Sequence, residues 1–170
     1  MVEIKELFDL DKTIAKELFD GKTYPWEVLD GIKDFILKLG PTLDPNEFDN
    51  PSEGVWVAKD AKVFPSAYLG APCIIDHGAE IRHCAFIRGS AIVGKNAVVG
   101  NSVELKNVVL FDNVQTPHYN YVGDSVLGYK AHMGAGSITS NVKSDKTLVT
   151  VRDGDRVYET HLKKLSLIHI

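Results

Sequence analysis

The sequence predicts a mainly β fold, a parallel β-helix of hexapeptide repeats, with an N-terminal α-helical region and a C-terminal β-hairpin. Three observations carry this. Every sixth residue from Val57 (Val57, Val63, Leu69, Ile75, Ile81, Ile87, Val93, Val99, Leu105, Phe111) is large and apolar. The residue four places after each is Ala or Cys in the first seven blocks (Ala61, Ala67, Cys73, Ala79, Ala85, Ala91, Ala97). In front of them, Val28, Ile32, Ile36 and Leu39 recur at helical spacing instead.

Residues 1–54 read as helices followed by a linker. Asp11 is placed to cap a segment with Ile14, Ala15 and Leu18 on one side, and Gly21 punctuates it. Pro25 suits the first turn of a second helix, which Gly40-Pro41 ends. Residues 41–54, rich in Pro, Asp, Asn and Glu, read as the linker.

Residues 55–141 read as the β-helix. A period of six does not fit an amphipathic helix. It fits a solenoid of short strands bent at fixed corners, three hexads to a triangular coil. The large residue fills the prism, each contributing about 1.5–3 kcal/mol of burial, and the small one sits where the inside is tight. Open ends of such a stack need covers, and the N-terminal helices are expected to cap one end. Beyond Phe111 the register slips. The next matching large residues are Tyr121, Leu127 and Met133, so four extra residues are expected to loop out around Gln115–Asn120.

Residues 142–170 read as a hairpin and an abrupt end. Thr147–Arg152 and Arg156–Leu162 look like strands around Asp153-Gly154. The stop at Leu167-Ile168-His169-Ile170 is read as a truncation whose last residues are foreign.

Bulk properties narrow the function. Lys and Arg number 19 against 23 Asp and Glu, a net charge of −4, which lacks the basic footprint of a nucleic-acid binder. No apolar run approaches a membrane span, and no signal peptide is apparent. Two cysteines without CxxC spacing fit a reducing compartment, and the protein is expected to be cytoplasmic. Cys73, at a small inward position, reads as core.

Two constellations point to chemistry. Arg88 and Lys106 each follow an inward residue and stand one coil apart, so they should stack on one face, where a phosphate or pyrophosphate would relieve their repulsion. The alternative is two solvated cations that share a face. His118, in the expected loop, carries an imidazole suited to act as general base at cellular pH; the alternative is an exposed loop histidine. No catalytic metal is expected, since His77 and His83 fall on neighbouring faces and no zinc-type cluster appears. Gly134-Ala135-Gly136-Ser137 lacks the strand–helix context of a dinucleotide site.

Three stretches, Gly100–Lys106, His118–Asp124 and Met133–Asn141, carry a resemblance. From about Val57 to Asn141 the chain resembles the C-terminal acetyltransferase domain of the bifunctional N-acetylglucosamine-1-phosphate uridyltransferase/glucosamine-1-phosphate acetyltransferases. The whole chain looks closer still to stand-alone UDP-N-acetylglucosamine pyrophosphorylase-related hexapeptide-repeat proteins, which also carry a helical front. The resemblance implies a left-handed coil and a homotrimer with sites between subunits. It implies acetyl-CoA as co-substrate and a sugar phosphate or nucleotide sugar as acceptor. His118 would be the base, Arg88 and Lys106 the phosphate clamp, and Tyr121 a substrate contact. Ala135 and Asn141 would lie on the CoA side. His132, at a substrate-binding position, stands where the family has Asn. The family's Lys after Asn141 has no clear counterpart, and the later coils that complete the acetyl-CoA site are missing. A non-catalytic phosphosugar- or nucleotide-sugar-binding trimer beside a separate nucleotidyltransferase is the alternative, and a purely structural trimer a third.

Overall fold

The computed structural model describes residues 2–139 and 145–168, the last three by backbone alone. β1 (Phe48–Ser52) and β2 (Val55–Ala58) pair antiparallel, so the stretch read as a linker holds a strand that covers the first coil's edge. Then follow β3 (Lys62–Val63), β4 (Tyr68–Leu69), β5 (Cys73–Ile75), β6 (Glu80–Ile81), β7 (Phe86–Ile87), β8 (Ala91–Val93), β9 (Val98–Asn101), β10 (Glu104–Leu110), β11 (Gln115–His118) and β12 (Tyr121–Leu127). They stack as the predicted parallel β-helix. A first face holds β2, β5, β8 and the second halves of β10 and β12. A second face holds β3, β6, β9 and β11. A third holds β4, β7 and the first halves of β10 and β12.

The inward residues are those the repeat marks as far as Leu105, and Ile75, Ile81, Ile87, Val93, Val99 and Leu105 are fully buried. The slip beyond is different from the one expected. Ile87 pairs with Leu105, 18 residues on, but Ala91 pairs with Val108 and Val93 with Leu110, 17 on. One residue is lost at a corner: Lys106-Asn107 stands where the previous coil has Arg88-Gly89-Ser90. Leu110, Thr116 and Val122 therefore take the inward column, and Gln115–His118 is not ejected but forms β11 against β9. Thr116 fits inside because its hydroxyl donates to Val98 O at 3.1 Å, leaving no orphan polar group. Phe111 turns outward at its corner and packs against Phe8 and Phe19, with ring centroids 5.3 and 5.7 Å away. Each shortened corner turns through a residue with positive φ, Asn107 (54°) and Asp124 (48°), side chains that tolerate the left-handed region.

The helical region does not cap an end of the stack. It lies along the first face, with α1 (Ile4–Leu7) and two 3-10 turns (Leu10–Lys12 and Lys16–Phe19) leading to a 3-10 segment (Pro25–Gly31) that runs into α2 (Ile32–Leu39). Asp9, not Asp11, accepts from the first turn's backbone, at 3.1 Å, and Asp11 pairs with Lys16. Glu27 accepts from the backbone N–H groups of Thr23 and Tyr24 and fixes the start at Pro25. The stripe Val28, Ile32 and Ile36 is buried against β8, β10 and β12. The outward side chains of the first face, Ile74, Ile92, Val109 and Val126, are consequently as buried as the inward ones. Sheets buried on both sides carry continuous apolar runs, and Cys73-Ile74-Ile75, Ala91-Ile92-Val93 and Val108-Val109-Leu110 are such runs.

β13 (Thr150–Asp153) and β14 (Arg156–Glu159) form the expected hairpin, turning at Gly154-Asp155 with Gly154 at φ 60°. β15 (Ser166–Ile168) adds parallel to β12 as a further rung of the first face. No described helix is long and apolar enough to cross a membrane.

Candidate functional site

Two corners of the prism flank the third face, and the predicted site residues divide between them. At the corner leading to the first face, Arg88 and Lys106 stack one coil apart, as spacing predicts. They are not bare. Arg88 Nη1 donates to Glu104 Oε1 at 2.7 Å, and Lys106 Nζ lies 3.4 Å from Asp124 Oδ2. Asn107 Nδ2 donates to Asp124 Oδ1 at 3.0 Å, which holds that carboxylate toward Lys106. The Glu104 carboxylate, through its hydrogen bond, holds the Arg88 guanidinium above its already high ordinary pKa, and Tyr121 contributes in the same direction. Tyr121 pairs with Glu104 on the third face, so Arg88, Lys106, Glu104 and Tyr121 form one neighbourhood. Between this corner and α2 is a cleft of about 220 Å³ lined by Lys33, Ala71, Pro72, Arg88, Gly89, Ser90, Lys106 and Asn107.

At the other corner, His118 ends β11 with an exposed side chain. Its backbone is fixed on several sides. Asn120, 2% exposed, accepts from His118 N at 3.2 Å, and its amide donates to Gly134 O at 2.8 Å and Ser137 O at 3.2 Å. Gly136 N donates to His118 O at 3.0 Å. Below, Gly100 leaves room for the Pro117 backbone, which a Cβ would strike. Ala135 lies in the next coil's corner, directly beyond His118, and is exposed. His132 bridges to Gln115 on the second face, so within one chain it lies around the corner from Tyr121. Asn141 lies outside the described residues. Among the described residues no group of three His, Cys, Asp or Glu stands as a metal cluster.

The sequence reading missed Glu104 and Asp124 as counter-charges, Asn120 as the clamp on His118, and Lys33. The first three stand inside the motifs Gly100–Lys106 and His118–Asp124, where they were available to be read. Lys33 carries no local signal, because only packing of α2 on the coils brings it to the corner.

With this geometry in view, the comparisons with known proteins decide the family. The sequence model described as "GMPPB C-terminal domain" matches residues 69–161, more than half of the chain. The chain belongs to this family. Similar segments occur in curated relatives named "Bifunctional protein GlmU". The one from Methanococcus maripaludis (strain C5 / ATCC BAA-1333) is 40% identical over 43 residues, 25% of this chain and 10% of that protein. The one from Methanocaldococcus jannaschii is 33% identical over 60 residues, 35% of this chain and 14% of that protein. The matched segments thus span only about a tenth to a seventh of those relatives. Among solved structures, the acetyltransferase domain of PglB from Neisseria gonorrhoeae FA1090 aligns with a TM-score of 0.42 at 16% identity, covering 70% of this chain and 71% of that one.

Proposed function

We propose that the protein transfers an acetyl group from acetyl-CoA to the amine of a sugar phosphate or nucleotide sugar, as a homotrimer whose sites form over the third face. The observation that carries this is the third face itself, with an exposed, backbone-clamped imidazole (His118) at one edge, the cations Arg88 and Lys106 at the other, and Tyr121 between. Arg88 and Lys106 would hold the acceptor's phosphate. The amine nitrogen would attack the thioester carbonyl, His118 would take the amine proton, and the C–S bond would break to release CoA thiol. Ala135, beside His118, would lie against the co-substrate with Asn141. The exposed apolar side chains on and beside this face, Tyr68, Phe86, Tyr119 and Ile138, support its coverage by neighbouring chains.

A second reading is a phosphosugar- or nucleotide-sugar-binding trimer without chemistry of its own. It is favoured by one observation: among the described residues, the His118 side chain has no hydrogen-bond partner to orient it as a base. CoA-thiol release from acetyl-CoA with glucosamine-1-phosphate separates the two. Transfer predicts release that His118→Ala slows by about 100-fold or more and that Arg88→Ala weakens through KM. Ligand-induced stabilisation without thiol release would establish the binding module instead.

A further inference from the structure

We propose that Lys33 of α2 is the third cation of the anion cleft and supplies its uncompensated charge, so that the helical region is part of the binding site. This rests on the phosphate-binding reading above. Of the three cations lining the cleft, Arg88 is paired with Glu104 and Lys106 with Asp124. Lys33 forms no ion pair among the described residues, and it is exposed, on the rim where α2 faces the corner. An approaching phosphate meets two neutralised pairs and one free ammonium. Within this cleft the unpaired charge is that of Lys33, while the guanidinium fork of Arg88 gives directed hydrogen bonds. Lys33 is held in place by its neighbours in sequence. Ile32 and Ile36 bury the adjoining face of α2 against β8 and β10, so the ammonium is delivered by a packed helix rather than a loop.

The surroundings suit a phosphoryl group. Ser90, with φ 51°, and Asn107, with φ 54°, line the cleft at the corner and offer a hydroxyl and an amide. The volume of about 220 Å³ takes a phosphate or diphosphate group but not a whole nucleotide sugar, so the remainder of such a ligand extends beyond it. The cleft is continued across Asn107 by a smaller one of about 190 Å³, lined by Leu29, Asp30, Asp124, Leu162, Lys163 and Lys164. The ligand class is therefore a phosphate or diphosphate ester bound by its phosphoryl end.

The test is calorimetric titration of the full chain with inorganic pyrophosphate, at low and moderate salt, with N-acetylglucosamine as the uncharged control. Lys33→Ala should weaken pyrophosphate binding about tenfold and flatten its salt dependence, Lys33→Arg should restore most of it, and thermal stability should be unchanged because the residue is exposed. If wild type binds and Arg88→Ala/Lys106→Ala abolishes binding while Lys33→Ala matches wild type, this inference fails and the clamp stands. If wild type shows no pyrophosphate binding, both fail.

Discussion

Arg88 and Glu104, diagonal outward neighbours on adjacent coils, are joined by a 2.7 Å hydrogen-bonded ion pair, so the proposed phosphate clamp would be closed on a carboxylate before any ligand arrives. A bound phosphate must share Arg88 with Glu104 or displace it. Glu104→Gln keeps the side chain's shape and removes its charge. Pyrophosphate affinity should rise about fivefold, and the melting temperature should barely move, since the pair is largely solvated. Calorimetry with a parallel thermal melt checks both; an affinity that falls would show that Glu104 positions Arg88 rather than competing for it.

Ile92 and Tyr68 both point out of the prism, yet the fold treats them oppositely. Ile92 is fully buried beneath the helical region, whereas Tyr68 is 61% exposed on the third face against Phe86, 5.6 Å away. Ile92→Ala should cost about 2–5 kcal/mol through lost burial and the cavity left behind. Tyr68→Ala should cost no more than about 1 kcal/mol in the isolated chain. Urea denaturation at low protein concentration measures both. If oligomers form over the third face, the Tyr68 variant should instead show its loss as weaker association.

That contrast also marks what the sequence made legible. The inward column could be read as far as Leu105 because a fixed step of six lands on it. It went wrong at Phe111 because Leu110, the true inward residue, is followed by an equally large apolar side chain, so a one-residue deletion at the corner left the pattern looking intact. From Phe111 a step of six lands on Pro117 instead of the inward Thr116, so four residues look surplus and read as an ejected loop. The doubled apolar pairs Ile74-Ile75, Ile92-Val93 and Val109-Leu110 mark a face covered on both sides, which places the helices along the coils rather than across an end. In the site, the stacking of Arg88 on Lys106 follows from repeat length alone. Their carboxylate partners depend on which outward neighbour each side chain reaches, and Lys33 depends on tertiary packing that no local pattern encodes.

Cys73 and Cys84 should differ sharply in reactivity. Burial in the prism pushes the Cys73 thiol up to about 12, which leaves almost no thiolate at neutral pH. Cys84 sits exposed at the His118-side corner, two coils below His118. Iodoacetamide on the native protein should add one equivalent, at Cys84, and the second only after unfolding; peptide mass spectrometry locates it. Rapid labelling of Cys73 in the native state would mean that the coils open far more readily than their packing implies.

Asp76 gives the fold a pH dependence of calculable sign. It is wholly buried at the corner between the first and second faces, and its Oδ1 accepts from His77 N at 2.8 Å while Oδ2 has no hydrogen-bond partner among the described residues. Burial raises its pKa above the ordinary 3.8, with the nearby Asp112 acting in the same direction and the His77 N–H, Lys95 and the His77 ring opposing. A raised folded pKa means that the folded state binds the proton more tightly than the unfolded chain does. The stability this contributes is complete below pH 3.8 and is lost as pH rises through the folded value. Asp76→Asn keeps the acceptor for His77 and removes the charge. Relative to wild type the variant should therefore gain stability as pH increases, reaching about 1–3 kcal/mol at pH 7, the usual cost of a buried group left unsatisfied. Urea titrations at pH 4 and pH 7 read the difference directly. A variant less stable than wild type at pH 7 would show the reverse, that attraction from Lys95 outweighs the burial of the ionised carboxylate.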